Sequence, residues 1–296
     1  MKTDKYIFAL GFFDGVHLGH QALLKQCRQL AAELGCGTAA LTFDRHPKTL
    51  LAGSAPVLIS TAAEREKLLR YYGMDRVLCL HVTPETMSVP WREFVDMLLA
   101  EGAAGFVCGD DFRFGHRGEG SAALLQQVSA ELGIPCAVVP EQSLEGVRIS
   151  SSHIRGLIED GRMESATRFL GHPYFLTGTV VHGKQIGRRL GMPTANLVLP
   201  EGLALPKLGV YACVVQIASE RFPAVTNIGL RPTVGGEGLT VEPWILDFSG
   251  DLYGREITLE FYYFLRPEQK FPDLAALRQQ IALDADHTRR YLEEHL

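Results

Sequence analysis

Apolar runs and helix-spaced stripes alternate along the first half of the chain. The run from Tyr6 to Gly11 predicts a strand, and the spacing from Leu18 to Leu34 predicts a helix. Gly37 to Phe43 predicts a second strand. Thr61 and Glu64 then stand as a capping box ahead of a helix that Gly73 stops. Arg76 to Leu80 predicts a third strand, Trp91 to Glu101 a helix and Gly105 to Gly109 another apolar strand. A polar, glycine-bearing loop covers Asp110 to Gly118, after which Ser121 to Leu132 reads as helix and Pro135 to Val139 as strand. This alternation predicts a parallel sheet covered by helices, an arrangement that binds ligands at the carboxyl ends of its strands.

From about Tyr174 the pattern changes. Ile257, Leu259, Phe261 and Tyr263 alternate with Thr258, Glu260 and Tyr262 in the period of a half-buried strand. Short strands separated by Gly and Pro turns predict a small antiparallel barrel. Only Leu274 to Leu296 returns to helical spacing. The expected boundary lies near Pro173, giving domains 1–173 and 174–296. Gly235-Gly236-Glu237-Gly238 reads as a mobile loop.

A length of 296 residues favours two domains. The net charge of -5 gives no general attraction to nucleic acid or anionic lipid, so local groups must hold any phosphate ligand. None of the six cysteines forms a Cys-x-x-Cys pair, and Cys79, Cys108, Cys136 and Cys213 lie in apolar runs expected to bury reduced thiols. Met1 to Lys5 leads into an apolar run too short for a secretory signal core, and no stretch approaches membrane-spanning length. A cytoplasmic location is expected, with no nucleic-acid or membrane partner. The sequence leaves the oligomeric state open.

Between the first strand and first helix lies Gly11-Phe12-Phe13-Asp14-Gly15-Val16-His17-Leu18-Gly19-His20. A strand feeding a helix through a Gly-bearing turn presents backbone N–H groups to a phosphate. Gly15 permits positive φ, and Gly19 permits close approach of a ligand. His17 and His20, three apart, can face one bound group and stabilise a phosphoryl transition state. In Asp110-Asp111-Phe112-Arg113-Phe114 two readings stand open: a solvated loop anchored by its aromatics, or a lid stacking on a planar ligand while Asp111 meets a nucleotide. Ser150, Ser151 and Ser152 can cap a helix and donate to phosphate, with Arg155 adding a forked cation.

In the second half, Gly183-Lys184-Gln185-Ile186-Gly187-Arg188-Arg189-Leu190-Gly191 is a basic, Gly-spaced turn ending in Met192-Pro193-Thr194-Ala195-Asn196. It reads either as a cationic hairpin or as a phosphate cradle. Thr194 and Asn196 then offer neutral oxygens on one face of an extended segment, suited to Mg²⁺ held jointly with ATP phosphates. The turn is not a Walker A loop, because no Lys-Ser/Thr follows its last Gly.

The His-x-Gly-His stretch and Ile149-Ser150-Ser151-Ser152-His153-Ile154-Arg155 resemble the two signatures of the nucleotidylyltransferases that make FAD, with Ser152 in a Thr position. Pro193-Thr194-Ala195-Asn196 resembles the signature of riboflavin kinases. Asn227 to Thr233, Asp251 to Gly254 and Arg266 to Phe271 match as well. Together they resemble the bacterial bifunctional riboflavin kinase/FMN adenylyltransferase family.

The resemblance implies a Rossmann-like α/β nucleotidylyltransferase domain followed by an antiparallel β-barrel kinase domain with C-terminal helices. It implies ATP as co-substrate, Mg²⁺ as cofactor, and riboflavin, FMN and FAD as ligands. Glu242 falls at the family's catalytic glutamate, with His17, His20 and Arg155 catalytic in adenylyl transfer. Gly11, Phe13, Asp14, Gly15, Gly19, Asp111, Ser150, Ser151 and Ser152 would serve one nucleotide. Gly183, Lys184, Gly187, Arg188 and Gly191 would serve the other. Phe112, Phe114, Asn227 and Arg231 would meet flavin, and Thr194 and Asn196 the metal. The sequence departs from the family at Arg45, where a Pro is usual, and at Pro243-Trp244, where a small residue and His are usual. An adenylyltransferase for another phosphate monoester and a non-catalytic flavin-binding protein remain the alternative readings.

Overall fold

The structure is a computed structural model describing residues 5–51, 56–182, 191–233 and 236–296. The first half runs β1 (Tyr6–Leu10), α1 (Leu18–Leu34), β2 (Gly37–Phe43), α2 (Lys48–Leu51), α3 (Ala62–Tyr71), β3 (Arg76–Leu80), α4 (Pro84–Met87) and α5 (Trp91–Ala100). It continues with β4 (Ala103–Gly109), β5 (Arg113–Phe114), β6 (Gly120–Ser121), α6 (Ala122–Glu131), β7 (Cys136–Val139), β8 (Ser143–Leu144) and β9 (Val147–Arg148).

Five of these strands form a parallel sheet in the order β3-β2-β1-β4-β7. Ile7 and Ala9 pack with Leu24, Cys27 and Ala31 of α1 and Leu69 of α3. Phe8 and Leu10 pack with Phe94 and Leu98 of α5 and Leu125 of α6. Helices cover both faces, which is why β1 reads as an unbroken apolar run and not an alternating one.

The second half holds α7 (Ser151–Glu159), α8 (Met163–Leu170), β10 (Tyr174–Val181), β11 (Asn196–Val198), β12 (Gly209–Ile217), β13 (Glu220–Thr233), β14 (Gly236–Ile245), β15 (Glu256–Arg266) and α9 (Leu274–His295). Its strands close a barrel in the order β10-β11-β14-β13-β12-β15. Contacts divide the chain into two compact units, one ending at His153 and one beginning at Ile154. That division passes through α7, ahead of the expected boundary at Pro173, because α8 packs against β10 and β15.

Three expectations change. Gly236 to Gly238 belong to β14, whose backbone pairs with β13 as far as Thr233↔Gly236, so they are not a loop; Gly235 lies outside the described residues. Along β15 the expected alternation holds through Phe261. The register with β12 then skips from Cys213↔Phe261 to Ala212↔Tyr263; Tyr262 stays on the face of Glu260, to which its hydroxyl donates, and is buried to 8% exposure against Leu292 of α9, while half-buried Tyr263 stacks on Tyr291 of the same helix. A bulge of this kind flips every later side chain to the other face. All six cysteines are unpaired thiols, but Cys79 and Cys136 are only half-buried.

At the end of β15, Arg266 donates from Nε to both carboxylate oxygens of Asp284 on α9 at 3.1 Å and from Nη2 to Oδ2 at 2.8 Å. Gln280 Nε2 donates to Asp284 Oδ1 at 3.0 Å. This pair ties α9 to the barrel, and Asp284 is only 4% exposed. Asp284→Ala strands the guanidinium and is expected to cost about 3 kcal/mol, read from urea unfolding of the full chain.

Candidate functional site

Beyond β1 the backbone enters a strained turn: φ is 60° at Phe13, 73° at Gly15 and 40° at Val16. Only Gly15 adopts this region without penalty, and a Cβ there would sit 2.7 Å from Ile59 Cγ2. Asp14, 2% exposed, over-determines the turn. Its Oδ1 accepts from the Ile59 N–H at 2.9 Å and the Ser60 N–H at 3.1 Å, while Gly15 N–H donates to Ser60 Oγ at 3.0 Å.

His17 then caps α1, its Nδ1 accepting from the His20 N–H at 3.3 Å. A ring nitrogen that accepts carries no proton, so neutral His17 keeps its proton on Nε2. The His17 and His20 rings stack with centroids 3.6 Å apart and planes 11° from parallel. His20 Nδ1 is buried without a hydrogen-bond partner. Burial, then the neighbouring His17 and Arg65, hold the His20 imidazole well below its ordinary pKa of 6.5.

The distant serine motif meets this turn. Ser150 Oγ accepts from the His153 N–H at 3.3 Å, capping α7, and Ser151 Oγ donates to the Asp14 carbonyl at 3.1 Å across 137 positions. Ser152 is exposed, and Arg155 follows Ser151 by four residues on the same helix face. A Cβ at Gly19 would stand 3.3 Å from the His17 ring, a tight contact that the glycine avoids, with Ile149 next at 3.9 Å. Gly11 lies over the Phe13 ring, which is itself buried and edge-on to His20.

Phe13, Asp14 and Phe114 thus turn their side chains inward, and a ligand at this turn would meet the backbone of the first two. Phe114 is in the core against Phe94, with half-buried Phe112 stacked on it at 5.7 Å. Asp111 is largely exposed and accepts from Arg148 Nη2 at 3.4 Å.

In the barrel, register assembles the site. Leu197 pairs with Val241 and Thr194 with Trp244, so Asn196 stands across from Glu242. On the other side of β14, Asn227 pairs with Glu242 and Val225 with Trp244. Two rows result on one face: Asn227–Glu242–Asn196 and Val225–Trp244–Thr194. The Ala195 N–H donates to the Pro243 carbonyl at 2.9 Å, anchoring the Thr194 segment to β14.

A cavity of about 320 Å³ lies over these rows, lined by Glu242, Asn227, Trp244, Glu268 and Phe271 among others. A second, of about 570 Å³, is lined by Pro193, Ala195, Phe248, Leu252 and Tyr253. Thr194 lines both. Tyr253 stacks on His182 with centroids 3.6 Å apart.

Of the expected nucleotide groups, Gly183, Lys184, Gly187 and Arg188 lie outside the described residues. Gly191 is exposed with φ 76°. The Arg231 side chain is likewise outside the description, its backbone lying in β13. Asn227 Nδ2 donates to Glu268 Oε1 at 3.1 Å, a partner the sequence pattern did not single out. Ser60 and Arg65 were also missed. The one sequence signal for Arg65 is its place on the stripe of Ala62, Leu69 and the helix C-cap Tyr72, which does not by itself separate a buried charge from a solvated one.

Residues 1–153 match the family model described as FAD synthetase, and residues 170–292 the one described as riboflavin kinase. A bifunctional riboflavin kinase/FMN adenylyltransferase of Listeria monocytogenes serovar 1/2a is 37% identical over 301 residues, covering 98% of this chain and 95% of that one. One from Pseudomonas fluorescens is 37% identical over 286 residues, covering 96% and 92%. The chain belongs to the bifunctional riboflavin kinase/FMN adenylyltransferase family.

A crystal structure described as a macrolide-efflux protein from Streptococcus pneumoniae shares the fold of this family member. Its TM-score is 0.88 at 31% identity, covering 98% of this chain and 95% of that one. Among the described residues here, no helix is long and apolar enough to cross a membrane.

The depressed His20 pKa makes stability depend on pH. The unfolded chain takes up the imidazole proton near 6.5, the folded chain only below that. Stability is therefore full above pH 6.5 and falls as pH drops through 6.5 toward the folded value. The thermal midpoint is expected to fall over this range, with a shallower slope in His20→Asn, as read by calorimetry from pH 7.5 to 5.

Proposed function

We propose that the chain phosphorylates riboflavin to FMN in its barrel half and joins FMN to AMP in its parallel-sheet half, giving FAD and pyrophosphate, with one ATP consumed at each site. The observation that carries the kinase half is Thr194 lining two cavities, one of which holds Glu242. ATP in the larger cavity and riboflavin in the smaller would meet at this residue. Glu242 would accept the proton of the riboflavin 5′-hydroxyl as it attacks the γ-phosphate. The Asn227–Glu268 hydrogen bond beside it would hold Asn227 against the flavin.

Mg²⁺ suits the oxygen donors of Thr194 and Asn196, which the register places on one face beside Glu242. When bound, the ion would neutralise charge on the transferring phosphoryl group. The basic residues Lys184 and Arg188 are assigned to the same phosphates.

In the adenylyl half no protein nucleophile is required. His17 Nε2–H and the stacked His20 would donate to the triphosphate, with Ser151, Ser152 and Arg155 approaching from α7. The hydrogen bond from Ser151 to Asp14 supports this joint site. The serines and Arg155 would place α7 with adenylyl transfer, and the match to the riboflavin kinase model begins only at residue 170, which supports a functional boundary near residue 173 although the compact units divide inside that helix. A cytoplasmic location accords with six unpaired thiols.

The purified chain incubated with riboflavin, ATP and Mg²⁺ is expected to yield both FMN and FAD by chromatography. His20→Ala should abolish FAD and spare FMN, and Glu242→Gln should abolish FMN while FAD still forms from supplied FMN. Loss of both products in either folded variant would sink the two-site reading.

Trp244 lines the smaller cavity and also packs with Val210, Val225, Leu246 and Ala285. Its position in the Glu242 face supports a stacking role toward isoalloxazine. Riboflavin is expected to quench indole fluorescence in the wild type but much less in Trp244→His, whose riboflavin KM should rise about tenfold. Lowered stability with an unchanged KM would make the indole a core residue alone.

A further inference from the structure

Arg65 on α3 is 0% exposed and heads the fully buried side chains in size. Taking a guanidinium out of water is costly unless its donors find partners, and an apolar side chain would fill the same space without that cost. The partners it has found all belong to the adenylyl-site turn or its supports. Nε donates to Thr42 Oγ1 at 3.2 Å, Nη1 to the Ser60 carbonyl at 3.4 Å, and Nη2 to the Phe43 carbonyl. The guanidinium carbon lies 4.3 Å from the centroid of the Phe12 ring. Thr42 Oγ1 in turn donates to the Phe12 carbonyl at 2.7 Å. Ser60 is the residue that grips Asp14 and Gly15. One planar fork thus reaches the chain leaving β1, the end of β2 and the segment ahead of α3.

We propose that Arg65 is a positioning residue for adenylyl transfer: its guanidinium fork fixes the Phe12–Gly15 turn against β2 and so sets where His17 and His20 present their rings to the triphosphate. This rests on the adenylyl-transfer reading given above. Asp14, whose charge favours the protonated guanidinium against its burial, completes the arrangement. A lysine would keep the charge and lose the fork, because an ammonium cannot reach three acceptors in one plane while covering an aromatic face.

The test compares Arg65→Lys and Arg65→Met with the wild-type full-length chain. FAD formation from FMN and ATP is measured at steady state, with FMN formation from riboflavin in the same preparations as an internal standard. The kcat for FAD formation is expected to fall about 100-fold in both variants, the loss that a misplacement of about 1 Å produces. The KM for ATP should move by less than about threefold, and FMN formation should be unchanged. That is the kinetic pattern of weakened transition-state stabilisation with ground-state binding intact.

Wild-type kcat in Arg65→Lys would overturn the proposal, since charge alone would then suffice. A loss of FAD formation that merely tracks the folded fraction, measured by thermal unfolding, would overturn it equally. Should Arg65→Met fail to fold, the kcat and KM of Arg65→Lys decide the matter. A wild-type chain that makes FMN but no FAD would remove the underlying reading, and this proposal with it.

Discussion

A carboxylate shut inside a turn governs the carboxyl end of the parallel sheet. Asp14 accepts two backbone N–H groups from Ile59 and Ser60 and offers its own carbonyl to Ser151. The neutral link to Ser151 contributes about 1 kcal/mol net, and each N–H on the carboxylate about 1.5–3 kcal/mol. Their value lies in what they specify: a non-glycine residue with positive φ on either side of Gly15, and the approach of α7 to the start of α1. Strain of this kind persists only where surrounding contacts over-determine it. The stacked histidines inherit their placement from that turn.

The barrel reaches its arrangement by another route. No single buried charge organises it; strand register does. Because side chains alternate with period two, pairing Leu197 with Val241 decides at once that Asn196, Glu242 and Asn227 share a face. A slip of one residue along β14 would send Glu242 to the opposite side, so the site is as secure as the register beneath it. The Arg266–Asp284 pair holds α9 over the same face, and Asp284 forms part of the smaller cavity's wall.

Much of this was legible in the sequence, for a reason that differs by element. α1, β2 and β3 lie at their expected limits and β1 stops one residue short of Gly11, because apolar runs and a helix-spaced stripe end where polar turns begin. The capping box of Thr61 and Glu64 is present as read. Motif spacing singled out His17, His20 and Ser151, and Ser151 joins the turn ahead of the histidines through a hydrogen bond to Asp14 across 137 positions that no local pattern encodes. What escaped was set by packing. Phe114 sits in the core because β5 and β6 fold it under Phe94's side of the sheet, while the bulge at Tyr262 arises from register between two strands and leaves no mark on either alone. Arg65 was passed over because a charged residue in an apolar stripe looks like a solvated one until its acceptors are known.

Proline at 243 leaves a last consequence. Its carbonyl receives the Ala195 N–H, but it has no N–H to give back, so the rung joining the Thr194 segment to β14 is bonded from one side. A rung bonded from one side holds its segment less firmly than one bonded from both. The residue shared by the two cavities, Thr194, therefore sits at the less restrained end of its row, whose other members, Trp244 and Val225, lie within the β13–β14 ladder.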